Sequence, residues 1–198
     1  MTATILLIRH AAHEHLGRVL SGRAPGMGLS AMGERQASAL SDRLAPLRLA
    51  AIEASPVQRA RQTAEAIAGP RGMTVVEAPA LDEVDFGAWT GKSFAALAGE
   101  PDWTIWNEAR DLARAPGGET MAEAQARAVA HIEGLARAYA DAAVAIVSHC
   151  DIIRGVIAHY LGLGLDRLLS FDVDPASISR IAVGAWGGRV LSINEGAH

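Results

Sequence analysis

The sequence predicts an α/β fold: three layers, with a mostly parallel central sheet, helices on both of its faces and an antiparallel edge. Three observations carry that expectation. Two short apolar runs, Ile5-Leu6-Leu7-Ile8-Arg9-His10 and Val144-Ala145-Ile146-Val147-Ser148-His149, halt at polar residues and give way to helical sequence, as buried parallel strands do. Strand-like and helix-like segments alternate along most of the chain. Near its end two strand-like runs, 178–183 and 189–193, flank Gly187-Gly188, which suggests a hairpin.

The elements follow in order. The first strand leads into a polar, glycine-rich loop over 11–29. Ser30 is placed to cap a helix with Glu34 in its first turn, and Pro46 marks the end of that helix near Leu44. A second strand at 50–54 stops at Ser55-Pro56. A helix over 56–68 has proline in its first turn and Gly69-Pro70 as its stop. A third strand spans 73–77. The stretch 81–91 is irregular and rich in acids and aromatics. Short helical pieces around Phe94 and Trp103 lead to Pro116-Gly117-Gly118. The longest helix, roughly 120–139, shows apolar steps of three or four at Met121, Ala124, Ala128, Ile132, Leu135 and Tyr139. The second histidine-ending strand and a helix over about 151–161 precede the closing hairpin.

Length and composition narrow the function. The 198 residues suit one domain, 1–198, with an excursion at about 86–118 over the active site. Alanine and leucine fill its core, since only 5% of residues are aromatic. A net charge of -4 gives no electrostatic case for nucleic acid or a membrane surface. Ile5 to Ile8 is too short an apolar stretch for a signal peptide or a membrane span. One cysteine, Cys150, excludes an internal disulfide, so a cytoplasmic, reducing location is expected. Homodimerisation is left open.

In open α/β sheets ligands bind just beyond the carboxyl ends of the strands, where both histidines would sit. Four stretches concentrate reactive side chains: Arg9-His10, the 55–63 segment with Arg59 and Arg61, the 81–87 segment with Asp82, Glu83 and Asp85, and Ser148-His149. Each has a plainer reading. A strand-end Arg or His often just stops an apolar run, helix arginines are often solvated, and loop acids often do no more than face water. Arg59 and Arg61, two apart on a helix, cannot both face one site. His10, His13 and His15 form His-x-x-His-x-His, but without a compact second ligand cluster no metal is expected. His131 and His159 lie in helical patterns and His198 is terminal. Taken together, the four stretches suit phosphoryl transfer: an imidazole attacks phosphorus, arginines and a second imidazole neutralise the oxygens, and a carboxylic acid moves the proton. That chemistry needs no cofactor.

The motifs closely resemble the histidine phosphatase superfamily, the group that includes cofactor-dependent phosphoglycerate mutases. Five blocks occur in the family's order across nearly the whole chain: Leu7-Ile8-Arg9-His10; Leu29-Ser30-Ala31-Met32-Gly33-Glu34-Arg35-Gln36-Ala37; Ser55-Pro56-Val57-Gln58-Arg59-Ala60-Arg61-Gln62-Thr63-Ala64; Leu81-Asp82-Glu83 with Phe86-Gly87-Ala88-Trp89-Thr90-Gly91 and Pro116-Gly117-Gly118-Glu119-Thr120; and Val147-Ser148-His149 with Asp151-Ile152-Ile153-Arg154. Two departures stand out: Ala11-Ala12-His13 follows the first histidine, and Cys150 replaces the usual glycine after the second. The resemblance implies a phosphoglycerate mutase-like fold. It implies His10 as nucleophile, Arg9, Arg59 and His149 as the phosphate pocket, Glu83 as proton donor and Ser21 as a further phosphate contact. It leaves Arg61, Asp82 and Asp85 without a catalytic role. The implied activity is metal-independent hydrolysis of a small phosphomonoester metabolite through a phosphohistidine. The alternatives are mutase-type transfer, disfavoured by the compact stretch before the second histidine, and a non-catalytic phospho-ligand module, disfavoured by the intact core set. Trp89, Trp103 and Trp106 are candidates either to shape the pocket beyond the phosphate or to pack the excursion onto the sheet.

Overall fold

The computed structural model describes residues 1–196; His198 lies outside them. Six strands form one sheet in the order β3-β2-β4-β1-β5-β6. Strands β1 (Thr2–Arg9), β2 (Ala51–Ala54), β3 (Val75–Glu77) and β4 (Ala143–Ser148) are parallel. Strand β5 (Ile178–Gly184) runs against β1, and β6 (Gly187–Glu195) runs against β5. The architecture is the three-layer, mostly parallel sheet with one antiparallel edge that the sequence pattern predicts.

Alternation along the central strands builds two cores. Ile5, Leu7, Val144 and Ile146 face the layer of α5 (Met121–Ala138) and α6 (Cys150–Leu161). Leu6, Ile8, Ala145 and Val147 face α1 (Ala31–Leu44) and α2 (Gln58–Ala68). Burial of each large aliphatic side chain here contributes roughly 1.5–3 kcal/mol. The helix starts are chemically specified. Ser30 Oγ accepts from Gly33 N at 3.1 Å. At α5, Thr120 and Glu123 each accept the other's backbone N–H, a capping box.

Three expectations are corrected in detail. Helix α2 starts at Gln58, not Pro56, because Val57 is extended and its N–H goes to Ser55 Oγ. Strand β3 begins at Val75, two residues later than expected. The hairpin turn is Ala185-Trp186, since Gly184 pairs with Gly187. Gly187 and Gly188 belong to β6: Gly187 has φ +109°, and a Cβ on Gly188 would lie 2.3 Å from the Tyr160 ring. Gly187 serves a positive φ and Gly188 a close approach, rather than the turn itself.

The stretch between the acid loop and α5 carries two short helices, α3 (Phe94–Leu97) and α4 (Pro101–Glu108). Its tryptophans pack inward. Trp89 and Trp106 are fully buried, and Trp89 meets Trp103 and Trp106 edge-on at 5.3 and 5.9 Å. Of the two sequence readings, packing describes them; Phe86 and Phe94, rather than the tryptophans, reach the cavity beside His10.

Candidate active site

Register brings the two histidines together. Arg9 of β1 pairs with Ser148 of β4, so His10 and His149 leave the sheet side by side. His10 N donates to Ser148 O at 2.9 Å, and the two rings lie 5.1 Å apart. Both are buried, and a cavity of about 330 Å³ opens beside them, lined by Arg9, His10, Ser21, Arg59, Glu83 and Asp151 among others. A larger cleft of about 460 Å³ beside Tyr160 and Ala185 lies against α5 and the hairpin, with no such convergence of reactive groups.

Hydrogen bonds fix the tautomers. His10 Nδ1 lies 2.8 Å from Ala11 O and therefore carries the proton. Its Nε2 lone pair faces Arg59, whose Nε donates to it at 3.0 Å. Arg59 Nη2 donates to Gly22 O at 2.8 Å and to His149 Nδ1 at 3.1 Å. Ser55 Oγ donates to Asp82 Oδ1 at 2.6 Å and lies 2.8 Å from His149 Nε2. The serine proton is thus spent on Asp82, and His149 Nε2–H must donate to the serine. One continuous chain runs from Asp82 through Ser55, His149 and Arg59 to His10.

The electrostatics favour neutral imidazoles and a protonated acid. Burial, then the charges of Arg59 and Arg9, push His10 well below its usual range. Burial and Arg59 do the same to His149. Glu83 is pushed up to about 7 by burial first and then by the Asp151 carboxylate, against the pull of Arg59. Arg9 Nη1 donates to Val173 O at 2.6 Å. Four buried polar atoms around the cavity lack partners: Arg9 Nε, Arg59 Nη1, Ser21 Oγ and His13 Nδ1. Buried donors left unpaired are costly, and here they gather where an anion would satisfy them.

Every sequence-predicted site residue lines or adjoins this cavity. Arg9, His10, Ser21, Arg59 and Glu83 line it, and His149 meets it through Arg59. Arg61 points away to Glu65 and Glu77. His13 is buried against His10 at 5.6 Å, whereas His15 is exposed. Among the described residues no group of three or more His, Cys, Asp or Glu is placed to hold a metal.

The sequence left several supporting residues without a role. Thr63 Oγ1 accepts from Ala11 N, and Gln36 Oε1 accepts from Ala12 N. Gly33 lets helix α1 touch that loop, since a Cβ there would lie 1.9 Å from Ala12 O. Arg23 and Arg127 both donate to Glu83 O, at 2.7 and 3.1 Å, and Glu119 binds both arginines. The motif blocks contain Gln36, Ser55, Thr63 and Glu119, so their positions were visible even though their partners were not.

This fold and this site define a hydrolase of phosphate monoesters. The chain belongs to the histidine phosphatase superfamily (branch 1), whose family model matches residues 5–196. It is 29% identical over 198 residues to "Phosphoserine phosphatase 1" of Hydrogenobacter thermophilus, covering 98% of this chain and 93% of that protein. It is also 34% identical over 180 residues to "Bifunctional protein Rv2228c" of Mycobacterium tuberculosis; that match spans 88% of this chain but only 49% of the relative. Among solved structures, Bacillus stearothermophilus YhfR superposes with a TM-score of 0.92 at 26% identity, covering 98% and 97% of the two chains. The alpha-ribazole phosphatase of Shigella flexneri gives 0.85 at 26% identity, covering 97% and 96%. No helix among the described residues is long and apolar enough to cross a membrane.

Proposed function

We propose that this enzyme hydrolyses small phosphomonoester metabolites through a phosphohistidine at His10. One observation carries the reading: His10 Nδ1–H is held by Ala11 O, which leaves Nε2 as a lone pair in a cavity surrounded by unpartnered arginine and serine donors. In the first half-reaction Nε2 attacks phosphorus, the bond to the substrate's alcohol oxygen breaks, and that oxygen takes the Glu83 proton. Arg59 Nε exchanges the imidazole for a phosphoryl oxygen, and Arg9, Arg59 Nη1 and Ser21 receive the remaining charge. As the phosphate dianion binds, its charge favours uptake of a proton from solvent at His149 Nδ1, which turns that nitrogen from acceptor to donor. In the second half-reaction Glu83 takes a proton from water as the water attacks phosphorus. The P–N bond breaks and its electron pair returns to Nε2. With its pKa near 7, Glu83 is available in both forms at neutral pH.

Rapid quench with radiolabelled substrate tests the reading. The wild type accumulates an acid-labile, base-stable label on His10. His10→Ala retains its fold by circular dichroism, takes no label and loses turnover by on the order of ten-thousand-fold or more. Substantial turnover in that variant, or label on another residue, overturns the assignment.

A further inference from the structure

The cavity has two ends with opposite charge character. At the phosphate end, Arg9 and Arg59 supply the cations. Beyond them the walls are apolar, with Leu16, Val19, Phe86, Phe94 and Pro175, and the remaining acidic groups are Glu83, which carries the proton for the leaving group, and Asp151. Asp151 stands in the first turn of α6. One of its oxygens, Oδ1, takes Arg110 Nη1 at 2.9 Å, with both side chains largely buried. The other makes no hydrogen bond, and Asp151, its side chain 15% exposed, lines the cavity. Arg110 gives Nη1 to Asp151 and Nη2 to Asn107; its Nε has no partner but is buried, and Arg110 does not line the cavity. His13, which also lines the cavity, is lowered to about 4 by burial and by Arg59, and is neutral at pH 7. Among the described lining residues, no free cation remains for a second anionic group on the substrate.

Resting on the phosphatase reading, we propose that the substrate's alcohol half is neutral or cationic, is apolar along one side, and presents a hydroxyl or ammonium donor to Asp151. A carboxylate or second phosphate on that half is excluded. An anion there would meet the free Asp151 oxygen with no counter-charge, and like charges brought together in a desolvated site are strongly disfavoured. The phosphoserine in the name of the Hydrogenobacter relative carries both an ammonium and a carboxylate. This cavity can receive the first and lacks a partner for the second.

The test compares kcat/KM for primary-alcohol phosphates that differ in the charge of the alcohol half: 2-phenylethyl phosphate, glycerol 1-phosphate, phosphoethanolamine, phosphoserine and 3-phosphoglycerate. The first three should exceed 3-phosphoglycerate by at least about tenfold, equivalent to about 1.4 kcal/mol, with phosphoserine below phosphoethanolamine. Phosphoethanolamine against glycerol phosphate tells which donor Asp151 prefers. Asp151→Asn should shrink the ratio of neutral to carboxylate substrates about fivefold or more, because it removes the repulsion and releases Arg110. Turnover with 3-phosphoglycerate or phosphoserine favoured overturns the proposal and leaves the phosphatase reading intact. So does a ratio unmoved by Asp151→Asn. Failure to hydrolyse any of the five esters, with generic aryl phosphates equally inert, overturns both together.

Discussion

The two ends of the cavity are built by different means. The phosphate end rests on the two central strands, and its positions are set by backbone register: Arg9 opposite Ser148, then His10 beside His149. Its two histidines and Arg59 are each tied at two or more points; Arg59 touches His10, Gly22 and His149 at once. The leaving-group end is assembled from the 11–29 loop, the segment after the acid loop and the first turn of α6. There, walls meet through side chains such as Leu16, Phe94 and Asp151 rather than through a sheet ladder. The rigid end fixes which chemistry occurs, and the end made of irregular segments chooses which alcohol is accepted.

The sharpest way to break this contrast is at Arg59. It joins both histidines and carries the free donor Nη1. Arg59→Ala should reduce kcat/KM by roughly a hundred- to a thousand-fold for every substrate alike, as removal of a transition-state donor does. It should also abolish the rise in Tm that inorganic phosphate gives the wild type. A loss confined to some alcohols would mean that the phosphate end shares in selection, and the division between the ends would fall.

Glu83 sits where the two ends meet, and its effect should depend on the leaving group. Glu83→Gln is expected to slow phosphoenzyme formation from alkyl phosphates by about a hundred-fold or more. It should barely touch the same step with p-nitrophenyl phosphate, whose leaving group needs no proton. The pH dependence has a defined sign. The carboxyl, held up at about 7 by burial and by Asp151, must be protonated for this step. The rate with alkyl phosphates should therefore hold below pH 7 and fall as pH rises through it. Glu83→Gln should lack that limb. Single-turnover kinetics across pH provides the check; a limb that persists in Glu83→Gln, or appears instead in Asp85→Asn, reassigns the acid.

Much of the phosphate end was legible in the sequence because it depends on local signals. An apolar run ending in Arg-His announces a strand end, and a serine-proline before helical sequence announces a strand-to-helix turn, so Arg9, His10 and His149 could be placed before their contacts were known, while the choice of Arg59 over Arg61 came from the family resemblance. The helix caps at Ser30 and Thr120 were legible for the same reason. The leaving-group end was not, since its residues meet across long separations with no periodicity to mark them. Arg110 reaches Asp151 across 41 residues, and Arg23 and Arg127 reach Glu83 from a loop and from a helix. Arg127 in isolation is an ordinary helix charge. The tryptophans taught the converse: aromatics in an excursion beside a site pack that excursion, while the smaller Phe94 reaches the cavity.

The smallest expected effect tests whether the rigid end extends behind its visible residues. Ser55 is fully buried, and its Oγ takes part in three hydrogen bonds, donating to Asp82 and accepting from Val57 N and His149 Nε2–H. Its role is to hold His149 in the tautomer whose Nδ1 faces Arg59. Ser55→Ala leaves the Nε2–H without a partner and frees the ring to turn or to change tautomer, so the second imidazole is no longer preset for the phosphoryl group. Kcat should fall about tenfold, the equivalent of one hydrogen bond of about 1.4 kcal/mol, while KM changes little because Arg9 and Arg59 still bind the ground state. Asp82→Asn should cost less than Ser55→Ala, since the asparagine oxygen still accepts the serine proton and the tautomer survives. A purely structural role for Ser55 would lower Tm and leave kcat of the folded fraction unchanged. Equal losses in Asp82→Asn and Ser55→Ala would instead require the negative charge of Asp82, and would make support of the protonated His149 in the phosphate complex, rather than the tautomer of the free enzyme, the chain's main contribution.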